Sequence, residues 1–472
     1  MNIILNIFSF FTNNILTKPE FFIGLIVLIG YILLDKPWYE SLSGFIKATV
    51  GYMILNVGAG GLVVTFRPIL AGLNDRFNLN AAVIDPYFGL NAVNAALESV
   101  GVVTSYTLIA LLFGFFWNIF LVAMRKYTKL RVLFVTGHIM VQQATTITWL
   151  VFFAAPSLRN TTGAALVGLL VGTYWAVFSN LTVEPTENLT DNAGFALGHQ
   201  QMLAVWVTDR IAAKMGNPEK NLENIKLPGW LHIFNDSIVS SSIIMVLFFG
   251  VIMSILGEDY MRQLDKNFAN TVSFPIYILS KSLLFAVYLH ILREGVRMFV
   301  AEMTESFHGI SSKLLPGVMP GVDCAATYGF TTPNTILWGF ILGASGQFIA
   351  IAGLLIFKSP IMIIPGFVPL FFDNATIAVY ANKRGGIRAA TLLPLFTGIF
   401  QVLGGAFCAW YFELYKYGGW HGNIDFSTLW LVAGIFIKVA PIAGSVTLIL
   451  LMLIIPQIQY KIYKNTYWKH GE

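Results

Sequence analysis

Two short stretches of this 472-residue sequence place an imidazole beside a pair of amides in otherwise apolar surroundings. The first, Gly137-His138-Ile139-Met140-Val141-Gln142-Gln143, lies within the apolar run 133–153, and on a helix His138 and Gln142 share one face at i and i+4. The second, Gly198-His199-Gln200-Gln201, repeats the order of glycine, histidine and two glutamines. Such side chains both donate and accept hydrogen bonds, which is what the hydroxyl groups of a neutral or singly charged polyhydroxylated molecule require. A bare ion would call for carboxylates instead. A lone glutamine in a membrane-like setting is more simply glue between helices. The recurrence of the whole cluster behind a glycine favours a ligand site. Two acids, Asp85 and Asp323, stand in apolar context, with Tyr87 two residues beyond the first. A carboxylate there can accept hydrogen bonds from hydroxyls, carry a proton, or cap the start of a helix.

Other chemistries lack their residues. There is no Gly-x-x-x-x-Gly-Lys loop, no Cys-x-x-Cys and no His-Glu-x-x-His, which argues against ATP hydrolysis by this chain. Neither His138 nor His199 has metal-ligand spacing to a cysteine or another histidine, so no metal or cofactor is expected. Cys324 and Cys408 sit among apolar or small residues and indicate no disulfide framework.

The elements that must position these groups read as membrane spans. The chain is 56% hydrophobic and 11% charged, with a mean hydropathy of +0.70. Apolar runs recur at 21–34, 102–122, 243–256, 335–357, 392–410 and 429–455, several long enough for a bilayer core. The expected class is therefore an all-α, polytopic membrane protein that carries a polar solute, with no soluble catalytic domain. The first run lacks a basic flank and a cleavage site, which argues against a removable signal peptide. The net charge of +5 is clustered at 125–131, 214–226, 383–388 and 461–469. Such clustering reports topology rather than nucleic acid: these segments should face the cytoplasm, the N-terminus the outside. We expect one integral unit over 1–460 and a basic cytoplasmic tail over 461–472.

Several stretches do not read as simple spans. Residues 2–16 suit an interfacial helix, and Leu227-Pro228-Gly229-Trp230 an interfacial turn. Glycine and proline interrupt 51–73, 316–323 and 359–381, and we read all three as half-length or re-entrant elements around a solute cavity. A faint echo links Phe66 leading to Asp85-Pro86-Tyr87 with Phe299 leading to Asp323-Cys324-Ala325, as an inverted repeat would leave. Arg293, Glu294, Arg297 and Glu302 read as a structural or gating ion-pair set.

Longer words resemble a known family, the membrane-spanning EIIC components of the bacterial phosphotransferase system for L-ascorbate. They include Gly-Tyr-Ile-Leu-Leu (30–34), Thr-Gly-His-Ile-Met (136–140), Gly-His-Gln-Gln (198–201), Leu-Pro-Gly-Trp-Leu (227–231) and Gly-Val-Arg-Met-Phe-Val-Ala-Glu (295–302). Asp-Cys-Ala-Ala (323–326) and Ile-Ile-Pro-Gly-Phe (363–367) complete them. The resemblance implies an elevator-type homodimer in the bacterial cytoplasmic membrane, with about eleven spans plus re-entrant hairpins, a core domain carrying ascorbate and a dimerisation domain. It places substrate contacts on Tyr87, His138, Gln142, His199, Gln200 and Asp323, with the backbone at Gly366 and Phe367 opposite. Where the family has a serine in the first glycine cluster and a threonine before the tyrosine, this chain has Ala59 and Pro86, so two hydroxyl contacts are missing. The resemblance makes the chain a transporter subunit: EIIB, supplied through EI, HPr and EIIA, phosphorylates the solute, and 208–226 is the expected docking surface. The competing expectation is a proton-coupled carrier of a sugar acid or lactone using Asp323 or Asp85.

Overall fold

The computed structural model describes residues 18–77, 80–224, 228–315, 317–464 and 466–468. The longer helices follow where uncharged apolar sequence runs past 10 to 15 residues. In chain order they are α1 (Pro19–Leu33), α2 (Trp38–Phe77), α3 (Pro86–Ser99), α4 (Ser105–Ala123), α5 (Gly137–Ala154), α6 (Thr161–Leu181) and α7 (Met202–Met215). After them come α8 (Ser237–Leu256), α9 (Phe274–Leu314), α10 (Pro333–Ile356), α11 (Asn374–Tyr411), α12 (Leu429–Val439) and α13 (Pro441–Tyr463). Among the described residues five helical stretches are long and apolar enough to cross a bilayer: α4, α6, α10, α13 and the continuous stretch Val368–Tyr411. The expected all-helical, polytopic architecture is the one observed.

Among the described residues six short strands lie between the helices: β1 (Asn80–Ile84), β2 (Val132–Phe134), β3 (Ala196–Leu197), β4 (Met319–Val322), β5 (Ile361–Pro365) and β6 (Gly419–Trp420). They form two parallel three-stranded sheets, one ordered β5-β1-β6 and the other β2-β4-β3. Backbone unwound at membrane depth must find partners within the protein, and these ladders supply them. The strand order exposes an internal repeat. Exchanging β1 with β4, β2 with β5 and β3 with β6 turns one sheet into the other. The central strand of each sheet leads directly into an acid, Asp85 after Ile84 and Asp323 after Val322. The echo between those two segments is thus a true repeat, and long helices precede both, α2 of 40 and α9 of 41 residues.

One expectation fails. Residues 51–73 are not a re-entrant element but the middle of the continuous helix α2. Glycine there serves close approach between helices rather than a break. A Cβ on Gly295 of α9 would lie 2.3 Å from the Leu55 amide of α2, and one on Gly61 would lie 2.3 Å from the Tyr288 ring. The other two interrupted stretches are broken as expected: β4 lies in the first, and β5 with the turn into α11 in the second.

The ion pairs near α9 also differ from expectation. Glu302 accepts from the Tyr31 hydroxyl at 2.5 Å and faces Lys47 at 3.2 Å, the exposed Arg297 lies 3.9 Å from Glu294, and the Arg293 side chain lies outside what the structure describes. Residues 2–16 lie outside the described residues. Trp230 is exposed, as an interfacial residue would be.

The basic stretches gather at one end of the bundle. Arg125 donates to the Gly317 carbonyl, the buried Arg131 to the Tyr467 carbonyl, and Arg210 to the Tyr463 hydroxyl. Arg384 pairs with Asp209 at 3.0 Å, and the Ile387 amide donates to the Lys220 carbonyl at the bend of α11. That bend is a single glycine, Gly386, at φ 63° and ψ −159°, a conformation open to glycine alone.

Candidate functional site

Each strand ends in a short turn that delivers polar side chains to the middle of the bundle. On the β2-β4-β3 sheet the Thr136 hydroxyl donates to the Gly198 carbonyl at 2.8 Å, with the Gly321 carbonyl at 3.2 Å, tying the three strand exits together. Gly198 must be glycine, because a Cβ would meet the Gly321 carbonyl at 2.6 Å. These exits carry His138, His199 and Asp323. His138 Nε2 lies 3.2 Å from Asp323 Oδ2, and His199 Nε2 lies 3.8 Å from Asp323 Oδ1.

The exits of the other sheet face them. His421, just past β6, and Asp373, eight residues past β5, meet Gln200 and His199 from the opposite side. The two sheets therefore point their strand ends at each other, and the polar groups lie between.

The orientation of the amides follows from one indole. Trp175 Nε1 can only donate, and it bonds Gln143 Oε1 at 2.7 Å. Gln143 then presents its nitrogen to Gln200 Oε1 at 3.0 Å, and His421 Nε2 donates to that same oxygen at 2.9 Å. His421 Nδ1 consequently accepts from the Thr146 hydroxyl at 2.8 Å. Gln200 uses its nitrogen on Gln142 Oε1 at 2.5 Å, which leaves the Gln142 nitrogen without a partner. That nitrogen is buried beside a narrow cleft lined by Tyr87, His138, Gln142 and Phe299, with Tyr52, Leu55 and Asn56 of α2. The chain thus offers donors to the cleft from Gln142, and a carboxylate beside it from Asp323.

The structure brings Tyr87, His138 and Gln142 together at the cleft, with His199, Gln200 and Asp323 immediately behind. Gly366 and Phe367 stand elsewhere in the same centre. Gly366 packs on Asp85, where a Cβ would come within 2.2 Å of the Asp85 Cβ, and the buried Phe367 stacks on Phe371. Asp85 itself caps α3: it accepts from the Tyr87 amide at 2.9 Å and from the Val368 amide at 3.1 Å.

His421, Asp373 and Asn423 were not singled out by sequence reasoning. All three are fully buried within this network. The signal available for His421 was its neighbour: His421-Gly422 after β6 reverses the Gly198-His199 order after β3. His199, Asp323 and Cys324 offer ligand atoms within 4.8 Å of one another. The carboxylate and imidazole of that group are the same ones that back the cleft, and we assign them to it.

Comparison with known proteins identifies the family. Residues 14–430 match the profile of the family described as the sugar-specific permease component of the PTS system, EIIC-GAT. A relative from Mycoplasma pneumoniae, named as an ascorbate-specific PTS system EIIC component, is 34% identical over 434 residues. That alignment covers 83% of this chain and 65% of the relative's length, so the chain spans slightly less than two thirds of that protein.

Proposed function

We propose the function of this chain from its family: it belongs to the sugar-specific permease components of the phosphotransferase system. It is the EIIC subunit that takes L-ascorbate inward across the bacterial cytoplasmic membrane. The observation that carries this reading is the cleft where Tyr87, His138 and Gln142 converge in front of Asp323. The unpaired Gln142 nitrogen suits a ring oxygen or enediol oxygen of the solute, and Asp323 suits a hydroxyl.

The cleft lies where α2 and α9 meet the elements that carry the strand exits. Sliding of the second group along the first would carry the solute across, an elevator motion, with α2 and α9 in the group that forms a homodimer. Orientation follows from charge: the end that gathers Arg125, Arg131, Arg210 and Arg384 is cytoplasmic, so α13 ends inside and α1 starts outside.

Phosphoryl transfer belongs to EIIB. Its phosphocysteine S–P bond breaks as the solute hydroxyl forms the new O–P bond, and the chain described here holds the solute in place. EI, HPr and EIIA recharge EIIB. Cys324 and Cys408 are buried and do not serve as the carrier thiol. The segment 208–226, whose Lys220 and Leu222 bond the residues around the bend of α11, is the proposed EIIB seat.

Uptake by proteoliposomes tests the reading. L-ascorbate should accumulate as its phosphate only when EIIB and a phosphoryl donor are supplied on the cytoplasmic face. Accumulation of unmodified solute under an imposed pH gradient alone would replace it with proton-coupled transport.

A further inference from the structure

Asp373 is a fully buried carboxylate at the hub of the site, yet the hub position does not require a charge. The internal repeat shows why. Gly321 pairs with Phe134 and its counterpart Val83 pairs with Ile364, so Phe134 and Ile364 are equivalent. Gln143 stands nine residues past Phe134, and Asp373 nine past Ile364. By the same register Gln200, three past Leu197, matches Asn423, three past Trp420. The bonding is equivalent as well: Gln143 bonds Gln200 at 3.0 Å, and Asn423 bonds Asp373 at 2.7 Å. A neutral amide braces the loop in the first half. An acid in the second half therefore has a further use.

That use is visible in its second oxygen. Asn423 and Gln401 both donate to Asp373 Oδ2, at 2.7 and 3.2 Å, while Oδ1 has no hydrogen-bond partner. Oδ1 faces His199 Nδ1 at 4.0 Å, and that nitrogen is likewise buried and without a partner. Two buried polar atoms left unpaired at this separation cost more than a small ring rotation that joins them. The far nitrogen, His199 Nε2, points to Asp323.

We propose that Asp373 is a positioning residue that holds the His199 proton on Nδ1 and so fixes what Nε2 presents to the solute beside Asp323. In its ionised form the Asp373 carboxylate can only accept, and in that form it selects this tautomer; an amide at the same place would not. The solute part of this proposal rests on the ascorbate reading above, whereas the tautomer part does not.

Asp373→Asn is the variant of choice. Its carbonyl remains with Asn423 and Gln401, which places an NH2 against His199 Nδ1 and forces that nitrogen to accept. In protein carrying 15N-labelled histidine, the His199 resonances being assigned by their loss in His199→Gln, Nδ1 should be protonated in the wild type and bare in D373N. L-ascorbate affinity should fall about tenfold in D373N. In the His199→Gln background the same substitution should change affinity less than about twofold, because the effect runs through the imidazole. A bare Nδ1 in the wild type, an unaltered Nδ1 in D373N, or an equal loss in both backgrounds overturns the proposal. Should D373N not accumulate as folded protein, the wild-type spectrum alone decides. If Nδ1 behaves as stated but wild-type protein does not bind L-ascorbate, the ligand reading falls and the positioning role stands.

Discussion

Asp85 and Asp323 close the central strands of the two sheets at equivalent points, yet only Asp85 has its carboxylate bound by backbone amides. Asp85 accepts from the amides of Tyr87 and Val368, whereas Asp323 makes no cap bond and faces the imidazoles of His138 and His199. The repeat has kept the residue and divided the work.

Substitution should separate the two roles. Asp85→Ala removes a helix cap and should cost about 0.5–2 kcal/mol of stability. Asp323→Asn should leave the melting temperature nearly unchanged and lower L-ascorbate affinity about 10- to 100-fold, as loss of a charged hydrogen bond worth about 1.5–3 kcal/mol implies. Calorimetric titration and thermal unfolding of both variants read the contrast. Similar loss of stability in the two would contradict it.

Trp175 does not line the cleft, but its indole sets the direction of every amide that leads to Gln142. Trp175→Phe should therefore weaken solute binding several-fold, by about 1 kcal/mol, while leaving each lining residue in place. Tyr87→Phe, at the cleft itself, should produce a loss of similar size without a change in melting temperature. Wild-type affinity in Trp175→Phe would show that the amides keep their orientation without the indole.

The α2–α9 crossing should be intolerant of added volume at one glycine and tolerant at another. Gly295→Ala drives a methyl group into the Leu55 amide and should cost about 1–3 kcal/mol. At Gly60 an added Cβ meets nothing within 4 Å, so Gly60→Ala should be neutral or stabilising by up to about 1 kcal/mol. Thermal unfolding in detergent distinguishes them.

The described part of the C-terminal tail is a latch. Tyr467 is fully buried, its hydroxyl donates to the Lys129 carbonyl at 2.6 Å, and its ring lies 3.6 Å from the Arg131 guanidinium. Tyr467→Ala should release this segment, at a cost that includes about 0.5–2 kcal/mol for the cation–π contact. Limited trypsin digestion should then cut at Lys461 or Lys464 much faster than in the wild type. Equal digestion rates would mean the segment is held by other contacts.

Much of the candidate site was legible in the sequence because a polar group in apolar context is costly and therefore stands out. That applies to His138, Gln142, His199, Gln200 and Asp323, and their convergence with Tyr87 follows from the fold. Gly366 and Phe367 came from family resemblance alone, and they support Asp85. Asp373, His421 and Asn423 were less visible because each stands near glycine, proline or asparagine, where a turn explains a polar residue without invoking a site. The strands escaped notice for a different reason. At two to five residues they are too short to display an alternating pattern. Glycines in α2 were misread as breaks because a helix crossing and a hairpin both call for a missing Cβ, and only the partner helix tells them apart.

The pairing of the strands bears on how the chain is made. β1 bonds only to β5 and β6, and β4 only to β2 and β3. Among the described residues no strand finds a partner within its own half of the polypeptide. During synthesis β2 and β3 must therefore wait, unpaired, for residues up to Val322 to leave the ribosome, and β1 for residues up to Pro365 on one edge and Trp420 on the other. A fragment ending near the middle of the chain should insert its helices without assembling a solute site, and two half-chains made separately should become competent only on meeting.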